Sequence, residues 1–66
     1  MKPAEIREMT PDELNRKVDE TRRELFNLKM QSHTGQLEDN SQIRRTRRDV
    51  ARLLTEKHAR MFNQAN

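Results

Sequence analysis

The chain has 66 residues, 30% of them hydrophobic and 38% charged, with 14 Lys and Arg against 11 Asp and Glu for a formal net charge of +3. That length leaves room for one small domain with a thin core and excludes a two-domain enzyme. With no cysteine, no signal-peptide-like opening and no apolar run long enough to span a membrane, disulfides, thiolate metal sites, secretion and membrane insertion all drop out, and the cytoplasm is the expected location.

One glycine and two prolines allow few turns, so the composition predicts an all-α chain. Ile6 and Met9 fall in a short N-terminal segment that can form a helical turn over one end of the fold. Thr10-Pro11-Asp12-Glu13-Leu14 marks the first long helix: Thr10 is a good N-cap, Pro11 suits the first helical position and Glu13 completes a capping box. Met9 and Leu14 stand at the two positions of a hydrophobic staple. Leu14, Val18, Thr21, Leu25, Leu28 and Ser32 then share one narrow stripe at roughly 100° per residue, a seam for one neighbouring helix. Gly35 is placed to end this helix in a left-handed conformation.

Asn40 or Ser41 can cap a second helix, with Asp39 near its N-terminal dipole. Ile43, Thr46, Val50, Leu53, Leu54, Lys57 and Met61 fall within a sector of roughly 100° on it. A short connection between two such seams predicts a long antiparallel two-helix hairpin with a short N-terminal helical turn, a rod about 33 to 36 Å long. The expected organisation is a single helical-hairpin domain over residues 1–66, with a helix over about 10–34, a turn over about 35–40 and a helix over about 41–62.

The charge is unevenly spread. Residues 1–33 hold seven basic and seven acidic residues, and residues 34–66 hold seven and four. Ten of the 14 basic residues are arginine, whose planar guanidinium suits bidentate phosphate contact. Arg44, Arg45, Arg48 and Arg52 lie within roughly 100° of one another, opposite the apolar seam, with Arg47 to one side. Such a face can simply keep a helix soluble, but here the seam is thin and only Asp49 interrupts the run. Binding along a phosphate backbone is therefore the leading functional reading, with Lys29, His33, Gln36, Arg22, Arg7 and Lys2 as further contacts. Without aromatic platforms beyond Phe26 and Phe62, a folded RNA surface is favoured over single strands or duplex DNA.

Phe26 and Met30 form a second apolar face, which packs locally or widens the hairpin interface, or else docks RNA or a protein neighbour. The alternative function is a helical protein-interaction module dimerising through them into a four-helix bundle. The chain lacks a glycine-rich phosphate loop and has two isolated histidines, His33 and His58; no catalysis, cofactor or metal is expected from it.

The runs Glu24-Leu25-Phe26-Asn27-Leu28-Lys29-Met30-Gln31, Thr34-Gly35-Gln36-Leu37-Glu38 and Ile43-Arg44-Arg45-Thr46-Arg47-Arg48-Asp49-Val50-Ala51-Arg52 with Thr55, preceded by Ile6-Arg7-Glu8-Met9-Thr10, resemble the bacterial large-subunit ribosomal protein family numbered twenty-nine. The resemblance covers essentially the whole chain. It implies a helical hairpin bound to large-subunit ribosomal RNA near the mouth of the polypeptide exit tunnel, with the large-subunit protein numbered twenty-three as neighbour. Two departures stand out: many relatives read Asn-Pro where this chain has Asp39-Asn40, and many carry lysine where it has Leu54.

A thin seam combined with a one-sided arginine face makes the partner part of the fold. The free hairpin is expected to melt at low temperature and to gain stability with increasing RNA concentration, which thermal melts with and without RNA will read directly. A high melting temperature of the isolated chain, unmoved by RNA, overturns this.

Overall fold

The computed structural model describes residues 1–35 and 39–64, which form three helices and no strand: α1 (Pro3–Arg7), α2 (Pro11–His33) and α3 (Ser41–Gln64). The start of α2 follows the local sequence. The Thr10 hydroxyl accepts from the Glu13 N–H at 3.2 Å, and the Glu13 carboxylate accepts from the Thr10 N–H at 3.4 Å, closing the capping box with Pro11 next in line. Met9 packs against the cluster that holds Leu14, as a staple requires. At the other end Thr34 donates to the Met30 carbonyl at 3.1 Å, and Gly35, at φ 77°, donates to Ser32 at 3.2 Å. A side chain with a Cβ would be strained in that left-handed backbone.

Asn40 stands at the N-cap of α3, as expected, while the side-chain bonds at this helix start come from Asp39. The Asp39 carboxylate accepts both the Ser41 N–H at 2.9 Å and the Ser41 hydroxyl at 2.7 Å, while the Asn40 carbonyl accepts the first helical bond, from Arg44 at 3.3 Å. One carboxylate can take both bonds at once and also bring negative charge to the helix start.

The two long helices pack antiparallel, and α1 folds back onto α3. Ile6, Leu14, Val18 and Leu53 form the core, and Leu53 is wholly inaccessible. Toward the turn the seam continues with Thr21, Leu28, Thr46 and Val50, all buried. Thr21 meets its polar requirement inside its own helix, its hydroxyl donating to the Lys17 carbonyl at 2.7 Å.

Six expected seam positions are not fully buried. Leu25, Ile43, Leu54 and Lys57 are half-buried, and Ser32, in the last turn of α2, is exposed. Met61 is 58% exposed. Met61 meets α2 only at its first turns, sharing a shallow cleft with Pro11, Leu14 and Asn15, and α3 overhangs the start of its partner. The same overhang, with the turn at the far end, makes the molecule 47 Å long instead of the 33 to 36 Å that either helix alone spans.

α1 has five residues, too few to be stable alone. Besides Ile6, polar contacts hold it. Arg60 donates one guanidinium nitrogen to the carbonyls of Ile6 and Arg7, each at 3.2 Å, and its Nε to Glu56 at 3.0 Å. Arg52 donates to the Met1 carbonyl at 2.7 Å, and the Met1 ammonium lies 3.1 Å from the Asp49 carboxylate.

Leu53→Ala should cost about 2–5 kcal/mol, several times more than Leu25→Ala; urea unfolding followed by circular dichroism measures both. At the α3 cap, the Ser41 N–H, the Ser41 hydroxyl and then Arg45 and Arg44 hold the Asp39 carboxyl below its ordinary value of 3.8. A lowered carboxyl contributes stability that is full above its unfolded pKa and lost as pH falls through the folded one. Amide exchange at Arg44 and Arg45 should therefore accelerate only under acid conditions below that value in the native chain, and already at neutral pH in Asp39→Ala.

Candidate nucleic-acid interface

The outward face of α3 is set by the seam beneath it. With Thr46, Val50 and Leu53 buried against α2, a helix of roughly 100° per residue turns Arg44, Arg45, Arg48 and Arg52 to solvent. Arg47 is exposed as well. Among the described residues the ion pairs are Met1–Asp49 and Glu56–Arg60, so none of these five arginines is neutralised by a carboxylate in contact. Arg45 reaches the Ser41 hydroxyl at 3.4 Å and Arg52 the Met1 carbonyl. The others donate to no partner among the described residues and have guanidinium N–H groups to offer another molecule.

The basic residues divide into two groups. Arg7 joins Arg48 and Arg52 around a shallow groove of about 310 Å³ between α1 and α3. Pro3, Ile6, Ala51 and Thr55 line it too. Arg44 and Arg45 continue the same face toward the α3 start. The second group follows from how the helices sit side by side: Glu24 lies beside Arg45 and Thr46, whereas Asn15 lies beside Lys57 and Met61. On the helical repeat, Arg22, Lys29 and His33 share the Asn15 flank of α2, and Arg47 shares the Met61 flank of α3. These four exposed residues form a separate basic strip along one side of the hairpin. The opposite flank carries the exposed Glu13, Glu20 and Glu24. Lys2 is exposed at the foot of α1, where it is the N-cap residue without a side-chain cap bond. Gln36 lies outside the described residues.

Phe26 and Met30 are 62% and 48% exposed, so they do not widen the hairpin interface. Phe62, 72% exposed, lies on the outer face of α3 beyond the arginines. Arg60 and Asp49 have roles the sequence pattern did not reveal: both fasten the N-terminal segment to α3, through partners about fifty positions away. The interruption of the arginine run at Asp49 is the one local sign of this. Among the described residues, no group of His, Asp and Glu is arranged to hold a metal ion, and no helix is long and apolar enough to cross a membrane. The arrangement offers many donors, positive potential and a shallow apolar groove, which suits binding to an extended anion.

The model of the ribosomal L29 protein family matches residues 4–60. The protein named large ribosomal subunit protein uL29 from Rubrobacter xylanophilus is 56% identical over 55 residues, covering 83% of this chain and 82% of its own. Its namesake from Syntrophobacter fumaroxidans is 52% identical over 60 residues, 91% of each chain. The one from Natranaerobius thermophilus is 48% identical over 63 residues, 96% of this chain and 97% of its own. Matched from α1 through most of α3, at about half identity over nearly its whole length, the chain belongs to the ribosomal L29 protein family.

Proposed function

We propose that this chain, acting as a single hairpin domain over residues 1–66, is a structural constituent of the large ribosomal subunit that binds ribosomal RNA through the arginine face of α3, near the rim of the polypeptide exit tunnel. One observation carries the RNA contact. Arg44, Arg45, Arg48 and Arg52 stand at fixed helical spacing on the solvent side, without carboxylate partners among the described residues. Their mutual repulsion is relieved when phosphates take the place of diffuse counterions, and the counterions released drive binding. Because these contacts go to the backbone, they position the protein on a folded RNA and do not read base sequence. The strip of Arg22, Lys29, His33 and Arg47 offers a second line of contacts, and Arg7, Lys2 and Gln36 complete the proposed set.

Membership of a ribosomal protein family makes the chain a component of a ribonucleoprotein and not an enzyme, and puts it on the ribosome in the cytoplasm. The large-subunit protein numbered twenty-three belongs to the same proposal as a neighbour. The exposure of Phe26 and Met30 supports a protein contact on that side of α2.

Filter binding to isolated large-subunit ribosomal RNA across a salt titration tests the arginine face. Arg44→Ala and Arg48→Ala should each weaken binding and reduce the slope of log K against log salt by about 1, while Arg23→Ala, on the far side of α2, leaves the slope as it is. Unchanged slopes for both α3 variants remove that face from the interface. A stable dimer in sedimentation, with no affinity for the RNA, replaces the whole reading with a four-helix bundle formed through Phe26 and Met30.

A further inference from the structure

We propose that the groove between α1 and α3 holds the base of a single unpaired nucleotide of the bound RNA, with the flanking phosphates on Arg7, Arg48 and Arg52. This rests on the RNA-binding reading and adds to it a site for one base.

The groove is lined by two kinds of group. Pro3, Ile6, Ala51 and the Thr55 side chain give it a largely apolar lining, which Arg7, Arg48 and Arg52 share. A phosphate alone would satisfy the arginines and leave the apolar lining against water. A base covers the apolar lining while its own backbone delivers phosphates to the arginines. Bases within an A-form helix are stacked and turned inward, and their deep groove excludes side chains, so the nucleotide that enters is unpaired.

Two of the three arginines are already fixed. Arg7 donates its Nε to the Pro3 carbonyl at 3.4 Å, and Arg52 donates one nitrogen to the Met1 carbonyl at 2.7 Å. Each keeps its other N–H groups and the flat face of its guanidinium, which can stack on a base, and the ordering cost has been met before the RNA arrives. The one carboxylate of the groove, Glu56, is paired with Arg60 at 3.0 Å and so does not present an unneutralised anion to the phosphates. The Thr55 hydroxyl donates to the Ala51 carbonyl at 2.8 Å, which leaves its lone pairs to accept from a base amino group.

The test uses the full chain and isolated large-subunit ribosomal RNA, probed by base-selective chemical modification and by binding. The native protein should protect one unpaired base. Ala51→Leu and, separately, Thr55→Leu fill the groove from exposed helix positions. Both should restore that base's reactivity and weaken binding by about tenfold, the loss of one stacked base, with helix content and salt slope unchanged. No protected unpaired base, or a base still protected in both variants, overturns the proposal. So does a groove whose filling abolishes binding of an acidic peptide and leaves RNA binding intact. The broader reading fails separately, through an unchanged salt slope in Arg44→Ala, because Arg44 lies outside the groove.

Discussion

Leu53 is the residue on which the three helices converge. It has no accessible surface and closes a cluster with Ile6, Leu14 and Val18, one from α1 and two from α2. Fully burying a side chain of this size contributes roughly 1.5–3 kcal/mol, a large share of the stability of so small a domain. Everything the outer face of α3 does depends on that anchorage. It fixes the rotation of α3 about its axis, and the rotation decides that the arginines, and not the apolar positions, look outward.

Arginine serves two purposes in this molecule. Arg60 and Arg52 use part of their guanidiniums to hold backbone carbonyls of the N-terminal segment, while Arg44 and Arg48 engage nothing within the described chain. A lysine could carry the charge of either group. It could not give one nitrogen to a carbonyl, present a second in a fixed direction and offer a flat face as well. The preference for arginine over lysine in the sequence thus has an architectural reason as well as an electrostatic one. Glu56 belongs to the same economy of charge: tied to Arg60, it braces the α1 attachment without repelling an approaching phosphate.

Much of this was legible in the sequence because the controlling interactions are local. The Thr10 to Glu13 capping box, the left-handed Gly35 and the outward sector of arginines all follow from spacings of a few residues, where the helical repeat is a reliable ruler. The seam is legible in its middle and less so at its ends, where Ser32 and Met61 have the right phase but stay exposed. Phase says which way a residue points, and only the offset between the helices says whether something is there to meet it. The clasp of Arg60 on Ile6 and Arg7 and the pairing of Asp49 with the Met1 ammonium were not legible, because they join positions about fifty residues apart. The groove shares that origin: its arginines were named from charge alone, but the apolar lining they share exists only once Pro3 and Ile6 have been laid against α3.

The position of the core along the rod bears on how the chain is made. Its four members come from residues 6 to 53, so the cluster can close only after most of the polypeptide exists, and the loop to be closed is long. The contacts nearest the turn, which close the shortest loop, are the poorest in apolar burial and offer little to nucleate on. The N-terminal half therefore has no stable structure to adopt during its own synthesis. It stays open and helix-prone until Leu53 has been added, so α1, made well before Leu53, docks late in folding.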